Sequence, residues 1–375
     1  MIYLHVPFCR SFCTYCDFYS EIACQGRDAQ LFEAYTAAVC AEASRRRDEI
    51  EATRDLNTLY IGGGTPSVLP LICLQQIVLS LTSGPPVWKT PPVGFDEFTI
   101  EVNPEDIVEK GKVYVRGLLE LGVNRVSMGV QSLDDGILRW MNRRHDAAHA
   151  RQAFDLLRQA GVRNISVDLI FGLSQLSEAT LTETLREIIS WHPEHISAYQ
   201  LSIEEGSTLG RLVREGRYEE ASQEQCAVQY RLLCEELRAA GYVHYEISNW
   251  ALPGREAIHN SAYWSRHPYV GLGPAAHSFD GHSRSWNGHL RSSTLPPETS
   301  GCAGEGSELI SAEEAREETV MLGLRTARGV EATLLDAAKA AEMLADGRLA
   351  RTGDGRLRIP EDAWFVSDDI IADLV

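Results

Sequence analysis

The sequence predicts an α/β fold: a partial (β/α)6 barrel followed by a small C-terminal helical, winged-helix-like domain. Three observations lead there. Short β-rich runs alternate with longer amphipathic stretches over the first two-thirds of the chain, the runs are apolar on both faces, and a Pro/Gly/Ser-rich stretch at 292–307 precedes two helical segments and a hairpin turn. Strands joined by helical crossovers are covered on both faces, so they read as continuous apolar runs rather than alternating ones. A doubly wound sheet shares this alternation and stays open at this level.

The candidate strands are residues 2–6, 57–61, 98–102, 125–128, 165–170 and 195–200. Between them, residues 29–50, 105–121, 147–161 and 178–190 have helical periodicity. Residues 83–94 contain two Pro-Pro pairs and read as an exposed loop. The boundaries expected are 1–291 for the barrel and its extension, 292–307 for a linker and 308–375 for the terminal domain. In that domain Ser311 and Glu314 form a capping box ahead of a helix to Leu324, a second helix covers 333–345, and Asp354-Gly355 turns a hairpin. In so acidic a protein this module is expected to serve packing or a partner.

The chain has 375 residues and a formal net charge of −18, with 44% hydrophobic and 23% charged residues. It is therefore long enough to bury a sizeable core, and it lacks the basic excess of a nucleic-acid or polybasic membrane footprint. An anionic ligand needs a local basic pocket. The longest apolar stretch, 68–81, is interrupted by Gln75 and Gln76, so no transmembrane segment is expected. With no basic leader ahead of an apolar run, the expected location is the cytoplasm, with peripheral contact at the inner face of the membrane as a second expectation. Nine cysteines, an odd number, point to metal or redox chemistry rather than a disulfide framework.

Cys9, Cys13 and Cys16 stand in C-x3-C-x2-C spacing directly after the first strand, while the other six cysteines are scattered. Zinc normally takes four protein ligands, whereas a [4Fe-4S] cluster held by three thiolates keeps one iron open. Gly62-Gly63-Gly64-Thr65-Pro66 follows the second strand and lets backbone approach a ligand closely; a plain strand-to-helix turn is the other reading. Glu101 ends the third strand, Gln131 follows the fourth and Asp168 lies near the end of the fifth, where strand-end carboxylates can accept ribose hydroxyls.

The cysteine spacing resembles the signature of the radical S-adenosylmethionine (SAM) superfamily. The resemblance implies a [4Fe-4S] cluster on Cys9, Cys13 and Cys16, SAM chelated at the open iron, and an external electron donor. Residues 3–9, the turn at 62–66, residues 101–104, 129–131, 168–172, 199–204 and 245–249 together look like the oxygen-independent coproporphyrinogen III oxidase-like family, over nearly the whole chain. By position, that family's SAM contacts fall on Tyr3, Gly63, Gly64, Thr65, Glu101, Gln131, Arg143 and Asp168, with Arg144 the alternative to Arg143.

Within this family the dehydrogenases of porphyrin biosynthesis carry a further cysteine two positions after the third, and a long arm before the cluster. Here Phe18 occupies that position and eight residues precede Cys9. Both features are similar to the HemW-type subgroup of haem-binding chaperones, and they disfavour decarboxylase activity. His259, with Asn260, Tyr263 and Trp264, resembles that subgroup's haem-binding element. An imidazole can ligate haem iron, and Arg266, Arg284 and Arg291 can pair with propionates. A hydrogen-bonded turn is the plain alternative for His259, and His5 and Cys24 are competing ligands. The expected partners are haem and haem-accepting respiratory proteins, and the second function is oxygen-independent coproporphyrinogen III dehydrogenation.

Overall fold

A computed structural model describes residues 1–23, 28–82, 94–289 and 306–375. They form two compact units: Met1–Val167 with Ser202–Tyr218 and Pro268–Glu308, and Asp168–Leu201 with Glu219–His267 and Leu309–Val375. The proline-rich loop at 83–93, the linker at 292–305, Cys24 and Arg291 lie outside the described residues.

In the first unit, β1 (Ile2–Val6), β2 (Thr58–Gly63), β3 (Glu97–Val102) and β4 (Arg125–Gln131) pair in parallel and in chain order. The register sets His5 opposite Gly62, Ile61 opposite Ile100 and Glu101 opposite Ser127. β5 (Ile165–Phe171) begins beside β4, where the Val126 amide donates to Asn164 O at 3.0 Å. The crossovers run through α1 (Asp28–Arg45), α2 (Leu71–Thr82), α3 (Pro104–Glu120) and α4 (Ala147–Ala160), with α1 packed on α2 and α3 on α4. Leu4, Val6, Leu59, Ile61, Ile100 and Met128 are fully buried, as expected for strands covered on both sides.

The helices differ from expectation where a specific residue intervenes. α1 stops at Arg45 rather than continuing to 50, because Arg46 leaves helical geometry and its guanidinium donates to Gly271 O at 2.7 Å and Ser278 Oγ at 2.9 Å. A short helix, Arg47–Ala52, then resumes. α3 is interrupted at Gly111, whose φ of +65° is a conformation glycine tolerates. α4 ends on Gly161 at φ +108°, a left-handed C-cap. α2 adds to the helices the sequence predicts: its apolar run lacks a polar stripe to mark a period.

The second unit continues from Asp168 of β5 through α5 (Glu178–Ser190) to β6 (His195–Gln200). Here α6 (Gln223–Ala239) packs on α5, and β7 (Val243–Glu246) and β8 (Asn249–Ala251) add antiparallel strands, β8 pairing with β6. α7 (Ile258–Trp264) follows. Back in the first unit, β9 (Val270–Leu272) pairs parallel to β1.

The terminal helices are α8 (Ala312–Leu324), started by the Ser311–Glu314 capping box, and α9 (Ala337–Ala345). α9 begins later than the expected 333. Ala332–Leu334 is a 3-10 turn, and the Asp336 carboxylate takes the amides of Ala338 and Lys339 to cap the helix. Ala350–Arg351 and Leu357–Arg358 form the expected hairpin, with Gly355 at φ +89° in its turn. The outcome is an α/β fold with a central parallel sheet and a C-terminal helical region. No described helix is long and apolar enough to cross a membrane.

Ile100, fully buried on β3, is a direct probe of this core. Ile100→Ala is expected to cost about 3 kcal/mol, read as a lowered denaturant midpoint at unchanged slope.

Candidate metal and cofactor site

The cysteine loop leaves β1 and is pinned along its length within the first unit. Phe8–Cys9 pairs in parallel with Glu21–Ile22, and the Ala23 amide donates to Cys9 O at 2.9 Å. Midway, Thr14 donates its amide to Met141 O at 3.0 Å and its hydroxyl to Trp140 O at 2.9 Å, while its own carbonyl accepts from the Leu209 amide. Asn142, at φ +58°, donates from Nδ2 to Phe12 O at 2.7 Å. Cys9, Cys13 and Cys16 are all free and half-buried on this loop. The other described cysteines sit on helices: Cys40 on α1, Cys73 on α2, Cys226 and Cys234 on α6. The donor set therefore suits a cluster with three protein ligands.

Burial pushes the Cys9 thiol up and the Cys16 thiol up to about 11. Thiolates here need a bound cation or a neighbouring positive charge. Arg143 supplies the latter. Its Nη1 lies 3.4 Å from Cys13 Sγ, and its Nη2 donates to Asn103 Oδ1 at 2.7 Å and Gly129 O at 2.9 Å. The neighbouring Arg144 is exposed, whereas the Arg143 guanidinium lies against the cysteine loop. Asn103 in turn donates from Nδ2 to Thr65 Oγ1 at 3.2 Å, and Thr65 Oγ1 lies 3.5 Å from Cys9 Sγ. A hydrogen-bond relay thus runs from Cys13 through Arg143, Asn103 and Thr65 to Cys9. Asn103 was missed by sequence reasoning; its signal is its place two residues after Glu101, at the cap of α3.

The glycine turn closes against this loop. Gly64 N donates to Val6 O at 2.8 Å, and a Cβ on Gly64 would sit 2.9 Å from Phe8 O and 3.1 Å from Cys9 Sγ. Gly63, at φ +114°, would drive a Cβ to 2.6 Å from the His5 ring. The close approach these glycines permit is thus, first, to β1 and the cysteine loop. Glu101 holds the turn from the next strand: Oε2 accepts from Gly63 N at 3.0 Å and Oε1 from Tyr60 Oη at 2.8 Å.

Tyr3, on β1, places Oη 3.0 Å from His5 Nδ1, and burial, reinforced by Glu101, holds its phenol protonated. His5 Nε2 lies 2.9 Å from Tyr19 O. Both ring nitrogens of His5 are therefore engaged within the first unit. Gln131 is the last residue of β4 rather than the first beyond it, and its φ of +67° is a strained conformation for a side-chain-bearing residue. Its Nε2 is 2.8 Å from the Cβ position of Gly129, on the side where Asn103 Oδ1 and Arg143 Nη2 also lie. Arg143 Nε is buried with no hydrogen-bond partner among the described residues, a donor suited to a bound anionic or polar group.

The remaining candidates lie in the second unit. Asp168 is its first residue, half-buried on β5. His259 is on α7 and fully buried, with Nε2 3.1 Å from Tyr263 Oη. Two arginines expected to meet propionates are committed to carboxylates instead: Arg266 pairs with Glu318 at 3.0 Å, and, in the first unit, Arg284 with Glu308 at 3.1 Å. In a chain carrying 53 acidic and 35 basic residues, a carboxylate is usually the nearest partner.

Gly64→Ala is expected to lower the iron taken up per chain in anaerobic reconstitution, because the new methyl group displaces Cys9. Gly353→Ala, where a Cβ meets nothing within 4 Å among the described residues, serves as the control and should reconstitute like the parent chain.

Residues 3–188 match the family model of the Radical SAM superfamily. Heme chaperone HemW of Bacillus subtilis is 34% identical over 330 residues, covering 88% of this chain and 84% of that protein. Heme chaperone HemW of Mycobacterium tuberculosis is 32% identical over 378 residues, covering 95% and 92%. Among solved structures, coproporphyrinogen III oxidase (HemN) from Escherichia coli, a radical SAM enzyme, superposes with a TM-score of 0.77 at 19% identity, covering 99% of this chain and 89% of that one, and shows the shared fold. With the three-cysteine loop, the glycine turn and a match to these relatives over most of its length, this chain belongs to the HemW family of the Radical SAM superfamily.

Proposed function

We propose that the chain is a haem chaperone that carries a [4Fe-4S] cluster and SAM, binds haem and passes it to haem-accepting respiratory proteins. The observation that carries this reading is Phe18. It stands two positions after Cys16, where the dehydrogenases of the wider family have a further cysteine, and its ring is 73% exposed. No thiol is offered there. The relatives named heme chaperones support the same side of the division.

Cys9, Cys13 and Cys16 would hold the cluster, which when bound supplies a low-potential electron and an open iron for the amino and carboxylate groups of SAM. The chain's own residues orient and insulate it. Arg143 places positive charge beside Cys13 and has a buried Nε without a partner among the described residues. Thr65 and Asn103 hold the other side of the loop. Gly63, Gly64, Glu101 and Gln131, with Tyr3 behind them, would bind the amino acid and nucleoside parts of SAM, and Asp168 its ribose. An external electron donor would reduce the cluster.

For haem, His259 is the proposed axial ligand and the half-buried Tyr263 and Trp264 rings the packing surface. Because His259 is fully buried, ligation requires α7 to open and the contact with Tyr263 Oη to break.

Asp168→Ala is expected to weaken SAM binding by about 1 to 3 kcal/mol without unfolding the chain, measured by calorimetry on the reconstituted protein. Unchanged affinity would make Asp168 structural. The reconstituted parent chain should bind haem and leave coproporphyrinogen III unconsumed when both are assayed on one sample. His259→Ala should shift or remove the Soret band of the haem complex and leave iron content alone. Sustained porphyrinogen turnover would overturn the chaperone reading in favour of the dehydrogenase.

A further inference from the structure

A second set of metal-type donors lies wholly within the second unit. Cys234 on α6, His244 on β7 and Glu361, at the start of the 3-10 helix Glu361–Val366, bring a thiol, an imidazole and a carboxylate within 4.8 Å of one another. His244 Nδ1 is 3.1 Å from Glu361 Oε1 and 4.0 Å from Cys234 Sγ. Around a tetrahedral zinc ion, nitrogen and oxygen ligands are about 3.3 Å apart, and nitrogen and sulfur about 3.6 Å. The first pair already spans such an edge. Toward the imidazole, the sulfur needs to close by about 0.4 Å.

The surroundings orient these atoms as outer hydrogen bonds orient metal ligands. His244 Nε2 lies 3.3 Å from Ile247 O, and a carbonyl only accepts, so Nε2 carries the proton. In the neutral ring Nδ1 is then a bare lone pair aimed at the Glu361 carboxylate. Two acceptors 3.1 Å apart repel unless a cation or a proton lies between them. The ring is also held sterically, stacked on Trp250 at a 4.0 Å centroid distance and set edge-on to Trp364 at 4.4 Å. Arg238 Nη2 takes Glu361 Oε2 at 2.9 Å, which leaves Oε1 for the inner position. Cys234 and His244 are buried while Glu361 is half-exposed, giving an ion an approach from the carboxylate side.

We propose that Cys234 Sγ, His244 Nδ1 and Glu361 Oε1 bind a zinc ion, with water as the fourth ligand. The mixed sulfur, nitrogen and oxygen set suits zinc among the common divalent ions. Binding displaces the Cys234 thiol proton to solvent and involves no change of oxidation state. The ion would tie the C-terminal segment at Glu361 to β7 and α6. The reading is independent of haem, SAM and the cysteine loop, which belongs to the first unit.

The test uses the full chain with its iron-sulfur cluster reconstituted, incubated with zinc, desalted and analysed for both metals. One zinc per chain is expected beyond the iron. Cys234→Ser and His244→Ala should each lose that zinc with iron unchanged, whereas Cys226→Ser, on the same helix, should keep it. Zinc-edge X-ray absorption on the unmutated protein decides even if a variant misfolds, with one sulfur and otherwise nitrogen or oxygen ligands expected. No retained zinc, zinc kept in Cys234→Ser, or a zinc shell without a single sulfur would overturn the proposal and leave a proton between His244 and Glu361.

Discussion

The relay from Cys13 through Arg143, Asn103 and Thr65 to Cys9 is the contact on which the candidate site depends. It ties the start and the middle of a loop that has little regular structure of its own to the residues after β2, β3 and β4. Each tie demands a register. His5 must face Gly62 and Glu101 must face Ser127, since a slip of one residue would turn Glu101 and its neighbours to the opposite face of the sheet. The guanidinium at the centre is bonded through both Nη atoms to Cys13, Asn103 Oδ1 and Gly129 O, while its buried Nε has no partner among the described residues.

Holding that geometry imposes strain elsewhere in the same few residues. Gly63 takes a φ of +114° and Gly64 leaves no room for a side chain against Cys9. Gln131 takes a left-handed conformation although it has a Cβ. Such conformations persist where surrounding structure over-determines them, and they gather at sites that bind or react. Here they fall at the ends of β2 and β4, beside Thr65 and close to Arg143. Strain and relay are two aspects of one arrangement: strand ends stopped short so that polar groups converge on the cysteines.

The second unit solves a different problem, the burial of polar side chains in an acidic chain. His244 lies between Trp250 and Trp364, and His259 is sealed against Tyr263. Its arginines are drawn to carboxylates, Arg266 to Glu318 and Arg238 to Glu361. The basic pocket that so negative a protein would need for an anionic ligand is therefore not supplied by Arg266. In the first unit, Arg143 is the buried cation at the site, and it serves the thiols.

Much of this was legible in the chain itself. Alternating β and α periodicity marks β1 to β6 and four of the crossover helices, and residues 9, 13 and 16 stand out by their C-x3-C-x2-C spacing, because both signals are local. The glycine turn, Glu101 and Gln131 are legible for the same reason, as strand-end residues. Tertiary structure alone decided the rest. It set the Arg143 guanidinium beside Cys13 and left the adjacent Arg144 exposed. It brought Asn103 into the relay, and it engaged both nitrogens of His5 while burying His259. It also set Cys234, His244 and Glu361 together, though 117 positions separate His244 from Glu361. Hydrogen-bond partners of that kind carry no periodic signature; they are fixed by which atoms folding brings within 3 to 4 Å, and a linear sequence does not contain those distances.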